Sequence, residues 1–200
     1  MLAAEMITAW QTIASRENNP IDPIVITVGS IHGGTKHNII SDEVKMQLTV
    51  RTYKQEVRDR VLAAIERMAK GVATTGGVPE DRMPVVQVEK EQYTPATYNN
   101  PELAKRVTAT LKTAIGAANV IVKDPTMGGE DFSEYSLPDH SVPAFMFNVG
   151  AVDPAKVAES KKTGKPLPSL HSSKFAPVPE PTIRTGMIGM VSAVVDLMKK

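Results

Sequence analysis

The sequence predicts an α+β domain over residues 1–95, with helices on one face of an antiparallel sheet, followed by part of an α/β layer over residues 96–200. One observation is a run near residue 45 in which apolar and polar side chains alternate, the pattern of a sheet with one solvated face. A second is the pair of amphipathic helical patterns on either side of the strand segments. Beyond residue 95, short apolar runs alternate with helical patterns, too few to complete a doubly wound sheet.

The first half begins with a helical pattern from Met1 to Arg16, which ends before Pro20 because proline disfavours helix in the residue preceding it. The β-branched run from Ile24 to Ser30 predicts a strand. A glycine pair, Gly33-Gly34, interrupts the chain, and alternation then predicts a second strand from Ile39 to Tyr53. The first half thus begins as a helix followed by two strands.

The first half continues with an amphipathic helix from about Gln55 to Ala73, which ends before Gly76-Gly77. The run from Val85 to Tyr93 predicts a third strand. The proline- and asparagine-rich stretch over residues 94–101 is the expected crossing between domains.

The second half begins with a helix from Pro101 to Ile115, with Asn100 as its N-cap. Short apolar runs predict strands over residues 119–122 and 144–149, and a long polar loop rich in proline and glycine follows the second. A final helix is predicted from about Thr182 to the end. Its apolar residues are expected inside the fold: Ile183, Met187, Met190, Val191, Val194, Val195 and Met198.

Composition is that of an ordinary globular protein, with 42% apolar residues, 22% charged residues and a formal net charge of +1. This charge gives no electrostatic reason to expect nucleic acid or an anionic membrane as partner. The absence of cysteine excludes disulfides and thiolate metal ligands within this sequence. No secretory leader pattern and no apolar run of ~20 residues is present, so we expect a cytoplasmic location, with an upstream signal left open.

The first of three candidate functional places is the polar cluster after Gly33-Gly34. The simplest interpretation is a hairpin-like connection in which glycine supplies unusual backbone angles. The functional alternative is that Asn38, which is both donor and acceptor, is presented at a strand end to a ligand carbonyl or carboxylate. Arg51, further along the alternating strand, could then add a bidentate grip on a carboxylate, although an exposed arginine on a solvated sheet face is equally expected.

The second place is Gly128-Gly129-Glu130-Asp131-Phe132, which follows a predicted strand. Strand ends that open into glycine turns are common sites in α/β proteins, but a solvated acidic turn or a helix cap is the simpler interpretation. The third is Leu170-His171-Ser172-Ser173-Lys174-Phe175 before the final helix. An oriented imidazole there suits a metal ligand, whereas a lone histidine is more often an ordinary surface or core residue. His32, His37 and His140 have no metal-ligand spacing with His171.

Taken in order, these motifs resemble the aminoacylase/carboxypeptidase family of two-metal (zinc) peptidases. The similarity rests on Val25 to Thr35, on Asn38-Ile39-Ile40 and on Leu48 to Thr52, together with the second and third motifs. Within the family the chain is most similar to the amidohydrolase branch of hippurate and indoleacetyl-amino-acid hydrolases. The resemblance implies a lid and dimerisation domain over residues 1–95, lacking its first strand, and the C-terminal segment of a zinc-peptidase-like catalytic domain over residues 96–200.

The resemblance also assigns roles to single residues. It implies that His171 is a metal ligand, that Asn38 and Arg51 help to hold the substrate carboxylate, and that Glu130 lines the substrate site. Two divalent metals, zinc, manganese, cobalt or nickel, would serve the complete enzyme. Ser41 stands where the family has proline, and Lys36-His37 replaces smaller or apolar residues. The remaining ligands and the glutamate base would precede Met1, so we expect that this chain binds no metal stably.

These expectations define three hypotheses. The first is part of a metal-dependent amidohydrolase that cleaves N-acyl amino acids or small peptides, forms a homodimer through its lid, and is inactive as this chain alone. The second is a non-catalytic dimerisation or binding module derived from the lid, which a free sheet edge would favour. The third is an unrelated α+β enzyme with a site at His171 and Glu130. No nucleic acid and no membrane is expected as a partner.

Overall fold

The structure is a computed structural model that describes residues 1–89, 93–136 and 139–199. The chain divides into two compact units. Unit 1 comprises Met1–Thr97 and Pro125–Glu134, and unit 2 comprises Tyr98–Asp124 and Tyr135–Lys200. The domain boundary predicted between residues 95 and 96 stays a prediction, because packing within one chain does not test whether two parts fold as domains.

Unit 1 is built from two helices and a hairpin, as the sequence predicts. Helix α1 is Leu2–Thr12 and continues as a π-helical turn, Ile13–Glu17. Strands β1, Ile24–Gly33, and β2, Val44–Thr52, form a two-stranded antiparallel sheet. The longest helix, α2, is Gln55–Thr75. The order of elements therefore agrees with the predicted helix, strand, strand and helix.

The hairpin register places Ile24 opposite Thr52 at one end and Gly33 opposite Val44 at the other. The register shifts between Val28 and Ser30, which is a β-bulge. Apolar side chains of one face are buried or half-buried against the helices: Ile24, Ile26, Val28, Met46, Leu48 and Val50. The predicted period-two alternation is confirmed, because this burial leaves the other face of β2 to solvent.

The core of unit 1 lies between α1, α2 and the sheet. Its buried apolar side chains are Met6, Trp10, Ile13, Ile26, Val57, Val61, Ala64, Ile65, Ala69 and Ala73. Most of them recur at three- and four-residue spacing on α1 and α2, so each helix contributes one apolar stripe. This core fixes the hairpin on which two of the candidate site residues lie.

Unit 2 is assembled around two packed helices, α3, Pro101–Ile115, and α5, Pro179–Leu197. Its buried apolar core is small and consists of Val107, Leu111 and Ala193. Helix α3 begins where predicted, and the side chain of Asn100 accepts a hydrogen bond of 3.0 Å from the Leu103 N–H. No helix in the described part of the chain is long and apolar enough to cross a membrane.

Several predicted strands are wrong. Strand β2 begins at Val44, so residues 39–43 belong to the connection rather than to the strand. Residues 85–89 and 93, 119–122 and 144–149 form no strand, and residues 90–92 of the third predicted strand lie outside the described residues. Apolar β-branched runs form strands only when another backbone pairs with them, and no such pairing is present in the described ranges beyond β1 and β2.

The loop predicted after residue 149 contains a helix that the sequence analysis missed, α4, Pro154–Thr163. Its proline is at the first turn, and the Asp153 carboxylate accepts a hydrogen bond of 2.7 Å from the Ala155 N–H. Gly164 ends the helix with a left-handed φ of 70°. The same proline and glycine that predicted a loop are therefore the start and stop signals of a helix.

The predicted interior of the last helix is also wrong. The large apolar side chains of α5 are exposed, with Met187 63% and Met190 56% exposed, as is Met198 directly after it, while the buried positions are Gly189 and Ala193. A Cβ at Gly189 would lie 3.3 Å from Leu111 Cδ2, so the glycine permits close packing of α5 on α3. The predicted helix is present, but it carries more apolar side chains than α3 covers.

Candidate functional site

Arg51 lies near one end of the hairpin, where it pairs with Val25. Its side chain is exposed, and its Nη1 atom donates a hydrogen bond of 2.5 Å to the backbone carbonyl oxygen of Met127. Both residues belong to unit 1. The predicted carboxylate-holding arginine therefore already contacts the segment that contains the predicted substrate-lining Glu130.

Asn38 lies in the connection between β1 and β2, five residues after Gly33, and is exposed. It is not at a strand end as predicted, because β2 begins only at Val44. Gly34 has a left-handed φ of 82°, and a Cβ at Gly33 would lie 2.8 Å from Val44 Cγ2. The glycine pair thus serves the turn, as the simplest interpretation of this cluster predicts.

Asn38 and Arg51 are associated with opposite ends of the hairpin. Arg51 is seven positions after Val44 along β2, which corresponds to about 23 Å at about 3.3 Å per residue. The described residues record no contact between the two side chains. The structure therefore does not bring these two predicted carboxylate ligands together, and their joint role stays a prediction.

Glu130 is exposed, and its carboxylate is used locally. Its Oε1 atom accepts a hydrogen bond of 3.2 Å from the Phe132 N–H, at the start of the 3₁₀ helix Asp131–Ser136. Its backbone carbonyl accepts a hydrogen bond of 3.1 Å from the hydroxyl of Ser133, which is buried. This geometry is the helix cap that the sequence offered as the simpler interpretation of the motif. The Phe132 bond uses one oxygen of the Glu130 carboxylate and leaves the other out of this bond.

His171 lies in unit 2, in a turn before α5, and its side chain is exposed. The Ser172 N–H donates to the Ser169 carbonyl at 2.9 Å, and the Phe175 N–H donates to the Ser172 carbonyl at 3.0 Å. These bonds order the backbone around the imidazole. The neighbouring Leu170 does not cover the imidazole, because its own side chain is 76% exposed.

The residues described here do not fit a two-metal site. Within residues 1–89, 93–136 and 139–199 there is no group of three or more histidine, cysteine, aspartate or glutamate side chains that could hold a metal ion. A catalytic zinc needs three protein ligands and one open position. His171 could supply one imidazole ligand, so no catalytic step through a metal can be derived from this chain.

One contact of the site could not be found from the sequence. The acceptor of the Arg51 hydrogen bond is a backbone carbonyl, and every residue type carries one. The bond joins residues 76 positions apart, so no local pattern indicates it. The pairing of Arg51 with the glycine-rich segment is a finding of the tertiary structure.

Comparison with known proteins places these features in a family. Residues 1–75 match the M20 peptidase dimerisation domain. The chain is 38% identical over 152 residues to N-acetyldiaminopimelate deacetylase of Streptococcus thermophilus. That match covers 76% of this chain and 38% of the deacetylase. The chain spans less than half the length of this and other curated relatives.

Two crystal structures share the fold. One, from methicillin-resistant Staphylococcus aureus, is described as an aminohydrolase; it is 28% identical with a TM-score of 0.74, and the match covers 100% of this chain and 46% of that one. The other is the Bacillus subtilis YXEP protein, described as a dinuclear metal binding peptidase of the M20 family, with 18% identity, a TM-score of 0.62, and coverage of 99% and 46%. The chain therefore belongs to the M20 family of peptidases and amidohydrolases, the aminoacylase/carboxypeptidase family that its motifs resemble.

Proposed function

We propose that this chain is part of a metal-dependent amidohydrolase that cleaves the amide bond of N-acyl amino acids or small peptides. The observation that carries the proposal is the 38% identity to an N-acetyldiaminopimelate deacetylase over three quarters of the chain. A deacetylase of this kind releases an acyl group from an amine, which is the reaction class proposed. The match to a dimerisation domain over residues 1–75 supports a homodimer.

Four residues are proposed for the site of the assembled enzyme. Arg51 and Asn38 are exposed donors suited to a carboxylate or carbonyl group of the substrate. Glu130 is proposed to line the substrate site, and His171 is proposed as one metal ligand because its imidazole is exposed in an ordered turn. Zinc, manganese, cobalt and nickel are the metals to be tested.

The isolated chain is proposed to be inactive, since its described residues offer no group of three metal ligands. The test compares the 200-residue chain with a form extended by the sequence encoded upstream of it. Turnover of N-acetyl amino acids and dipeptides is measured together with bound metal by elemental analysis. Activity and about two metals per chain in the extended form alone are expected, and His171→Asn should lower both there.

Chelator-sensitive amide hydrolysis by the isolated chain would contradict the proposed inactivity. A second candidate function, a non-catalytic dimerisation or binding module, is favoured by the dimerisation-domain match and by the absence of a ligand cluster in the described ranges. A stable dimer by sedimentation velocity, with neither metal nor turnover in either form, would support that candidate instead. Lys162→Ala, a change at an exposed lysine in α4, serves as the control for His171→Asn.

A further inference from the structure

The segment Pro125–Glu134 packs with unit 1, although the residues on both sides of it belong to unit 2. The chain therefore joins unit 1 over only ten residues before it leaves again. This segment has little regular secondary structure of its own, because it contains only the first four residues of the short 3₁₀ helix Asp131–Ser136. Specific contacts must hold it in place.

The Arg51 guanidinium supplies one such contact. Its Nη1–H donates to the Met127 carbonyl at 2.5 Å, and the positive charge of the donor makes this a charge-assisted hydrogen bond. The donor is set on a strand that is paired along its whole length, from Val44 opposite Gly33 to Thr52 opposite Ile24. The acceptor is half-buried in the segment. The bond thus joins an irregular segment to the paired strands of unit 1.

Further hydrogen bonds hold the segment at Glu130, three residues after Met127. Glu130 Oε1 accepts from the Phe132 N–H, and the Glu130 carbonyl accepts from the Ser133 hydroxyl. Ser133 is 2% exposed, so this end of the segment is buried. A fixed position for Met127 therefore restricts where the Glu130 carboxylate can lie.

The guanidinium retains capacity for a ligand. Arginine has five N–H donors arranged as a planar fork, and the part of the chain that the structure describes records only the Nη1 bond for Arg51. The edge formed by Nε and Nη2 is the one that binds a carboxylate with two parallel hydrogen bonds. One side chain can therefore contact the segment and a carboxylate together.

We propose that Arg51 is a positioning residue that anchors the 125–134 segment, and with it Glu130, on strand β2. The same guanidinium links this segment to a ligand carboxylate, a second role that rests on the proposed function. The anchoring itself does not depend on any metal or substrate. It can therefore be tested on the 200-residue chain.

The first experiment is hydrogen–deuterium exchange followed by mass spectrometry on the wild-type chain, on Arg51→Ala and on Lys45→Ala. Lys45 is an exposed cation on the same face of β2, six residues before Arg51, and it is the matched control. Exchange in peptides covering residues 127–134 should become about tenfold faster in Arg51→Ala, because one charge-assisted hydrogen bond is lost. Lys45→Ala should change it by less than about twofold. Unchanged exchange in Arg51→Ala, with α2 still protected, overturns the anchor.

The second experiment measures the wild-type chain, with one variant used for signal assignment, and decides the question if Arg51→Ala also loosens α2. Side-chain ¹H–¹⁵N spectra report rotation of the Arg51 guanidinium. The Arg51 signals are assigned by their loss in Arg51→Lys. Separate Nη resonances are expected because the Met127 carbonyl holds one amino group. A single averaged resonance overturns the proposal. Neither result depends on catalysis, so an inactive extended enzyme would leave the anchor standing, and a freely rotating Arg51 would leave the hydrolase proposal standing.

Discussion

The indole Nε1–H of Trp10 on α1 donates a hydrogen bond of 3.0 Å to the backbone carbonyl of Ile65 on α2. Both residues are almost fully buried, with 3% and 4% exposed. The bond satisfies the polar atom of the sequence's only tryptophan inside an otherwise apolar core. It also fixes how α1 lies on α2, because it joins the two helices at one point.

Trp10→Phe should lower the free energy of unfolding of unit 1 by about 1–3 kcal/mol. The substitution leaves a cavity and removes the bond to the Ile65 carbonyl. Urea denaturation followed by circular dichroism is the measurement, since the variant lacks tryptophan fluorescence. Thr8→Ala, at an exposed position of α1, should change stability by less than about 0.5 kcal/mol. Equal stability of the two variants would show that the core does not depend on Trp10.

Two glycines should respond in opposite directions to alanine. Gly34→Ala should destabilise unit 1 by about 1 kcal/mol, because φ is 82° there and a side chain is strained in that region. Gly71 lies within α2, and a Cβ added there would lie in open space. Gly71→Ala should therefore raise the free energy of unfolding of unit 1 by about 0.5–1 kcal/mol. Urea midpoints of the two variants and the wild type provide the measurement. A gain of stability in Gly34→Ala would contradict the turn geometry.

The contact between α3 and α5 should depend on acid pH. Arg106 Nε donates to Asp196 Oδ2 at 2.8 Å, and this hydrogen bond holds the pKa of the Asp196 carboxyl below its usual value. A lowered pKa in the folded state means that the stabilising effect is present above the unfolded pKa of about 3.9 and is lost as pH falls through the folded pKa. The effect should also weaken in high salt because the pair is accessible to solvent.

Arg106→Gln should therefore lower stability at pH 7, and the difference from wild type should shrink as the pH falls below about 4. Denaturant titrations at a series of pH values measure this difference. Lys105→Gln removes the neighbouring exposed cation and should leave the pH dependence of the wild type unchanged. A difference between wild type and Arg106→Gln that stays constant down to pH 2 would exclude the Asp196 carboxylate as its source.

The exposed apolar surface of α5 should cause association of the isolated chain. This surface consists of Ile183, Met187, Ile188, Met190, Val191, Val194, Val195 and Leu197, and Met198 directly after the helix extends it. Exposed apolar patches of this kind bind other apolar surfaces or hydrophobic dyes. The double variant Met187→Glu/Val191→Glu should therefore bind less of the dye 8-anilinonaphthalene sulfonate. In sedimentation velocity, its distribution of species should shift towards smaller ones.

Arg184→Glu is the control for that variant, because it adds glutamate to α5 without removing an apolar side chain. It should leave dye binding close to the wild-type level. Circular dichroism should show unchanged helix content in all three proteins, so that any change reports the surface rather than unfolding. Dye binding that persists in the double variant would place the responsible surface away from Met187 and Val191.

The local sequence determined the helices and the hairpin of unit 1 and the start of α3 in unit 2, because the signals for each lie within a few residues of one another. Apolar residues at helical spacing predict α2, alternation from Val44 to Val50 predicts β2, and Asn100 before Pro101 predicts the start of α3. The motifs around Asn38, Glu130 and His171 were likewise sufficient to indicate the family, since it is their order along the chain that carries the resemblance.

Only the tertiary structure decided which apolar segments are covered and which distant groups meet. Residues 119–122 and 144–149 are apolar enough for strands, yet a strand needs a partner backbone that no local pattern reports. The same holds for α5, whose periodicity is helical but whose buried side depends on α3. The bond from Arg51 to the Met127 carbonyl joins residues 76 positions apart, and such an encounter follows from packing rather than from any neighbouring residue.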